Sequence, residues 1–395
     1  MNDQSRIIKI IGLVSFMRSF GYGSLWSFIV LYLNVDEKIS LSFIGFYLFI
    51  VGLIGAFSQI FFGALTDSYG RKIFLIIGQV GQGLSFFLFG FGGFTGNIII
   101  LLLSIFLQSI FSSMVFTSFN AIIADIFEEE KRFRGYAFQR ALANFGWGIG
   151  PAIGGMIYQL NDFSSSFILL GIFLSSISII FRYIPETNLK TSSFRLKDII
   201  QPLKNRYFLI FSMASFLTFV LMGQLTSTYS VYENRINNIS VFYIGLTWTM
   251  NGLLVGVFQY PSAKMVKRKN AYYFLIYGSL IYGFGYMMLP FNSSIIYLFT
   301  SMIVITIGEI IYSSSSTATA LNFAKENERG KYAGSFGFFT SIGRYMGPFY
   351  GGLIFLIPLN YMFRWSLIFI LAVISSSLYL YIFLKNNHNK KIFNM

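Results

Sequence analysis

The sequence contains no cysteine and a single histidine, His388, which lies in the polar C-terminal tail. Disulfides and thiol catalysis are therefore excluded. The Cys and His sets that usually ligate a metal cannot be assembled, so we expect no metal site and no cofactor. The chain also offers no grouping of nucleophile and base that would indicate an enzyme.

Charged residues are scarce. They make up 11% of the 395 residues, against about 25% in an ordinary soluble domain. Hydrophobic residues make up 55%, and the mean hydropathy is +0.65. Apolar segments of about 20 residues, long enough to cross a bilayer as helices, recur along the chain. The twelve segments are 8–33, 41–65, 73–93, 98–127, 135–159, 166–184, 207–232, 241–263, 271–290, 294–323, 332–357 and 364–384. We predict an all-α polytopic membrane protein in contact with the lipid bilayer.

The net charge of +14 could indicate binding to nucleic acid, so the location of the basic residues has to decide. When alternate loops are assigned to opposite sides, 23 of the 29 Lys and Arg fall on one side, and only Lys38, Arg235 and Arg364 fall on the other. This bias places both termini in the cytoplasm. The charge therefore encodes topology, and we expect no nucleic-acid partner. The first segment is full length and has no cleavage site after it, so we expect it to be retained.

The longest connector, 184–208, follows the sixth segment and divides the chain into two halves. We predict an N-terminal six-helix bundle at 1–184, a cytoplasmic linker at 185–206 and a C-terminal six-helix bundle at 207–395. An internal repeat supports the division. IGFYLFIVGLIGAFSQ (44–59) aligns with IGLTWTMNGLLVGVFQ (244–259), and GWGIGPAIGG (146–155) aligns with GRYMGPFYGG (343–352). Two parallel repeats are suited to alternating access around a central binding site.

The loop after the second segment, GALTDSYGRK, carries Gly63, Asp67, Gly70, Arg71 and Lys72. In this spacing the loop resembles the signature of the major facilitator superfamily, and the resemblance covers nearly the whole chain. Ser68 replaces the usual basic residue. The equivalent second-half loop, AKMVKRKN, is degenerate, with Lys267 in place of the aspartate.

The resemblance implies a conformational latch. In the family, such an Asp and Arg form a charge cluster with an acid on the fourth helix, and this cluster steadies the outward-open state. Carried over to this chain, the cluster is Asp67, Arg71 and Asp125. The alternative is that a short basic loop only fixes topology.

Two ionisable residues of the second half lie deep in predicted helices, where charge is costly and usually functional. Glu309 is the only acid in the middle of any predicted segment, and Arg344 lies in the next predicted segment, 332–357. A carboxyl group in a cavity that opens to each side in turn is a candidate for proton coupling. The alternative is a permanent ion pair with Arg344.

Arg18 lies near the middle of the first segment, with Tyr22 and Trp26 at one-turn intervals on the same face. Two central arginines against one carboxylate favour an anionic or zwitterionic substrate. The alternative is that Arg18 pairs with Glu309 or binds backbone carbonyls. Gln224 and Asn251 are further candidates for the cavity wall, although such polar residues also join helices.

Glycines and a proline recur in the fifth and eleventh segments, and they allow close helix packing. They are Gly150, Pro151, Gly154, Gly155, Gly347, Pro348, Gly351 and Gly352. The first four resemble a motif of antiporters in the superfamily and favour export. We therefore expect a monomeric, proton-coupled exporter of a small anionic, zwitterionic or lipophilic solute in a prokaryotic cell membrane. Proton-coupled uptake, uncoupled facilitation of an organic anion or sugar, and a non-transporting receptor stay open.

Overall fold

The computed structural model describes residues 3–126, 129–160, 163–187, 200–266, 271–325 and 328–393. Within these ranges the chain is helical and has no β-strand. The α-helices of the described ranges are α1 (Asp3–Leu25), α2 (Ile29–Val35), α3 (Leu41–Tyr69), α4 (Arg71–Thr95), α5 (Ile98–Ile126), α6 (Glu129–Tyr158), α7 (Phe163–Ile177), α8 (Arg206–Gln224), α9 (Ser230–Arg235), α10 (Val241–Met265), α11 (Ala271–Met288), α12 (Ile295–Leu321), α13 (Arg329–Leu356) and α14 (Tyr361–Phe393).

Nine helical spans among the described residues are long and apolar enough to cross a membrane. They correspond to α3, α4, α5, α7, α8 with α9, α10, α11, α12 and α14. The other three predicted segments are also helical and correspond to α1 with α2, to α6 and to α13. These helices carry several charged residues, which lower their mean hydropathy. The predicted all-α membrane fold is confirmed.

Several helices begin at a polar residue whose side chain accepts backbone N–H groups of the first turn, which have no partner within the helix. Asn97 accepts the amides of the second and third residues of α5 at 3.1 and 3.2 Å. Asn205 does the same for α8, and Ser294 accepts the Tyr297 amide in α12. The starts of these apolar helices are therefore fixed by polar N-cap residues in the sequence.

The first helix of each half departs from regular α geometry at equivalent positions. A 3₁₀ turn at Trp26–Phe28 separates α1 from α2. A π turn at Leu225–Tyr229 separates α8 from α9, 200 residues further on. Such departures often accompany functional sites.

The chain forms two compact units. The first comprises Met1–Lys38, Ile50–Phe194 and Ser240–Gly252. In it α1 packs against α6, and α4 packs against both α5 and α7. Because it includes Ser240–Gly252, this unit contains the beginning of a helix from the second half of the sequence.

The second unit comprises Ile39–Phe49, Arg195–Ile239 and Leu253–Met395. Here α8 packs against α13, and α11 packs against both α12 and α14. These are the repeat equivalents of the helix pairs in the first unit. The predicted domains at 1–184 and 207–395, which lie on either side of the linker, stay a prediction.

Candidate functional site

The loop between α3 and α4 holds a buried ion pair. The Nε atom of Arg71 lies 3.0 Å from Oδ2 of Asp125 on α5, and the two side chains are 1% and 4% exposed. The same guanidinium donates to the Thr66 backbone carbonyl at 2.8 Å. The structure thus brings together two of the three residues of the predicted latch. The side chain of the third, Asp67, lies outside the described residues.

The two motif glycines of this loop differ in their surroundings. Gly70 has a φ of 103°, a conformation that other residues rarely adopt. A methyl group on Gly63 would make only an ordinary contact, 3.6 Å from the Thr117 side chain. Lys72 donates from Nζ to the Arg182 carbonyl at 3.2 Å.

Glu186 completes this loop, and the sequence reasoning missed it. Its carboxylate accepts the backbone N–H groups of Arg71 at 2.7 Å and of Lys72 at 3.1 Å. It therefore caps the start of α4, where Gly70 has no side chain to do so. The only signal in the sequence is an acid directly after the sixth segment, on the side predicted to be basic.

In the first unit, Arg18 of α1 faces α4 and α5. Its Nη2 atom lies 3.5 Å from Oε1 of Gln82, at the limit of a hydrogen bond. Its guanidinium carbon lies 6.0 Å from the centre of the Phe119 ring. Arg18 itself is half-buried, whereas Gln82 and Phe119 are buried.

The predicted aromatic residues follow Arg18 along α1. The rings of Tyr22 and Trp26 have centres 5.2 Å apart. Phe86 of α4 packs edge-on against both, at 5.5 and 6.1 Å. Tyr22 and Trp26 are half-buried, and Phe86 behind them is 1% exposed. These rings form an apolar surface next to a guanidinium.

In the second unit, Glu309 and Arg344 share one region. Glu309 is half-buried on α12, and Ser313 donates to its backbone carbonyl. The Arg344 guanidinium carbon lies 5.2 Å from the centre of the Phe219 ring. The charges of Glu309 and Arg344 both act on the phenol of Tyr282. A carboxyl group and a fixed positive charge therefore both lie within electrostatic range of this phenol.

The structure places Gln224 in helix packing. It is fully buried, and its amide donates to the carbonyls of Val220 at 3.0 Å and of Gly347 at 2.8 Å. Its Oε1 accepts the Thr228 hydroxyl. Because both amide hydrogens are used within the protein, none is left for a substrate. Asn251 is also buried, at 7% exposure.

The glycines of α6 and α13 lie where helix backbones touch. A methyl group on Gly150 would lie 2.7 Å from the Phe20 carbonyl oxygen, and one on Gly347 would lie 2.6 Å from the Gly223 Cα. Gly154 would meet the Ser24 carbonyl, and Gly351 would meet the Thr228 hydroxyl. The other four residues of the motif pack against the first turns of two further helices. Gly155 and Pro151 of α6 contact Val241 and Gly245 of α10, and Gly352 and Pro348 of α13 contact Ser42 and Gly45 of α3.

Comparison with known proteins finds relatives that cover most of the chain. Multidrug resistance protein 1 of Bacillus subtilis (strain 168) is 26% identical over 317 residues, which cover 77% of this chain and 78% of the relative. The Na(+), Li(+), K(+)/H(+) antiporter of Planococcus maritimus is 23% identical over 422 residues, covering 97% of each chain.

Among solved structures, a mutant of the nucleoside transporter NupG superimposes with a TM-score of 0.82 over 95% of this chain and 99% of its own, at 13% identity. This likeness concerns the fold alone. The apolar helices and the repeated helix pairs of the two units define a polytopic α-helical membrane protein.

The pattern of the Major Facilitator Superfamily matches residues 11–348, and the chain belongs to that family. The predicted resemblance is confirmed. The family and the fold are those of transporters, which are not enzymes.

Proposed function

We propose that this transporter exports a small organic solute in exchange for protons, by alternating access between its two halves. One observation carries the proposal: Glu309, the only acid in the middle of a predicted membrane segment, lies half-buried on α12, directly after Gly308, which packs on the backbone of Tyr282. A carboxyl group that is exposed to each side in turn can load a proton on one side and release it on the other.

The relatives support this reading by their names, which mention multidrug resistance in one case and exchange of cations for protons in the other. In the proposed cycle, the bundles at 1–184 and 207–395 rock about a substrate site. Both termini and the linker at 185–206 face the cytoplasm of a prokaryotic cell. The Arg71–Asp125 pair would form on one side of the cycle and break on the other, and the protein would act as a monomer.

The test is proton movement in everted membrane vesicles with an acidic interior, to which lipophilic cations, organic anions and sugars are added in turn. We expect at least one compound to dissipate the pH gradient with the wild-type protein and not with Glu309→Gln. Glu328→Gln is the matched control, because it makes the same chemical change outside the predicted membrane segments.

Equal movement of labelled solute through wild type and Glu309→Gln, with no proton flux, would refute proton exchange and favour uncoupled facilitation. If, in whole cells, the cytoplasm acidifies only when solute is added outside, the protein couples protons to uptake. Binding without flux in either direction would indicate a receptor.

A further inference from the structure

Two neighbouring side chains in the first unit have hydrogen-bond donors without acceptors. The Nε atom of Arg18 and the Nε2 atom of Gln82 are each buried and have no hydrogen-bond partner among the residues that the structure describes. The contact between Arg18 Nη2 and Gln82 Oε1 orients the Gln82 amide, with its oxygen towards the guanidinium. A buried donor left without an acceptor is costly. A ligand that supplies acceptors to both donors would remove this cost.

The acids of this unit whose side chains are described are already engaged elsewhere. Asp125 pairs with Arg71, and Glu186 caps α4. Asp36 and Glu37, at the end of α2, each accept a tyrosine hydroxyl. The positive charge of Arg18 therefore has no described carboxylate partner within its unit.

An apolar surface of suitable size adjoins these donors. Tyr22 and Trp26 follow Arg18 at intervals of one helical turn, roughly 6 Å each. Phe86 follows Gln82 by one turn on α4 and supports both rings. A compound in which one or two fused aromatic rings carry an acidic group would span this distance, with the rings against Tyr22 and Trp26.

We propose that this face binds an aromatic carboxylate, with the carboxylate accepting from Arg18 and Gln82 and the ring lying against Tyr22 and Trp26. Bidentate pairing of a guanidinium with a carboxylate is strong and directional. Stacking on the aromatic rings adds affinity that does not depend on charge. The proposal rests on the proposed transport function and names its substrate class.

The experiment is calorimetric titration of the purified full-length protein with 2-naphthoate and with 2-naphthamide, its neutral counterpart of the same shape. We expect wild type to bind the carboxylate about tenfold or more tighter than the amide, since a hydrogen bond to a charged group contributes about 1.5–3 kcal/mol. In Arg18→Gln the preference disappears, whereas Arg140→Gln, which removes an exposed arginine of α6, retains it.

Trp26→Ala should weaken both ligands by the same factor, because the ring contact is common to them. A wild-type protein that binds the amide as tightly as the carboxylate overturns the proposal, and this result does not depend on any variant folding. Undiminished carboxylate preference in Arg18→Gln overturns it as well.

This outcome is separable from that of the transport assay. Arg18-dependent binding of 2-naphthoate without proton movement would sustain the site and refute proton exchange. Proton-coupled movement of cations, together with no carboxylate preference, would sustain exchange and refute the site.

Discussion

At the position where the first half carries Arg18, the second half carries Thr218, 200 residues further along the chain. Thr218 is fully buried, and its hydroxyl lies 2.7 Å from that of Ser375 and 3.1 Å from that of Ser279. In the equivalent place, the Nε donor of Arg18 has no acceptor among the described residues. At equivalent positions of the repeat, the polar group of the second half is hydrogen-bonded within the protein, whereas that of the first half keeps a donor for a ligand.

The same contrast holds elsewhere in the repeat. Gln82 corresponds to Tyr282, at an offset of 200, and Gln108 corresponds to Glu309, at an offset of 201. Glu309 and Arg344 therefore lie on helices other than α8, which is the second-half equivalent of the helix that carries Arg18. The two halves therefore share their helix packing and differ in the polar and charged side chains that they carry at equivalent positions.

The largest expected effect concerns the ion pair between Arg71 and Asp125: at an offset of 200, the second half carries Ala271 in place of Arg71. Arg71→Gln leaves a buried carboxylate without its partner, and we expect a loss of about 3–5 kcal/mol of stability. Thermal unfolding in detergent measures it. Exposed Lys325→Gln should change stability by less than about 0.5 kcal/mol. Equal effects in the two halves would contradict the asymmetry.

Gly154→Ala and Gly351→Ala compare the two helix contacts directly. We expect a loss of about 1–3 kcal/mol for Gly154→Ala, because the methyl group meets a backbone carbonyl that cannot move alone. For Gly351→Ala the loss should be smaller, since its neighbours are the side-chain ends of Thr228 and Gln224. Melting temperatures measure both, with Gly337→Ala as control, since nothing lies within 4 Å there. The reverse order would refute this account.

Removing the hydrogen-bonded hydroxyl of Ser375 should lower stability more than removing the Arg18 guanidinium, whose Nε donor has no acceptor among the described residues. Ser375→Ala takes away a buried partner of Thr218 and should lose about 1 kcal/mol. Arg18→Gln should leave the melting temperature nearly unchanged, because binding sites often carry groups that do not stabilise the fold. Strong destabilisation by Arg18→Gln would instead indicate a structural partner for this arginine.

The smallest effects are expected at the start of α4. Glu186→Gln keeps an acceptor for the two backbone N–H groups and loses the charge at the helix N-terminus. We expect a loss of about 0.3–1 kcal/mol that diminishes at high salt. Unfolding at two salt concentrations tests this. Gly63→Ala in the same loop should be nearly neutral, and a larger effect there would show that the glycine is needed for more than its contact with Thr117.

Hydropathy was sufficient to predict the helical segments, because a bilayer requires long apolar runs with internally satisfied backbones. Tertiary partners could not be predicted in the same way. Glu186 reaches α4 from 115 residues away, and no local pattern records that distance. The breaks at Trp26–Phe28 and Leu225–Tyr229 contain neither proline nor glycine. Gln224 was assigned to the cavity because polarity alone does not distinguish a cavity wall from a helix contact.

Each compact unit is completed by a short segment from the other half of the sequence: Ser240–Gly252 in the first and Ile39–Phe49 in the second. Gly245 packs on Pro151 in one unit, and Gly45 packs on Pro348 in the other. Two separately made half-chains would therefore resemble the protomers of a domain-swapped dimer, each unable to cover its own glycine face. Because the linker joins the two halves in one chain, their assembly is intramolecular. The effective concentration of one half around the other is then set by the linker and not by the expression level.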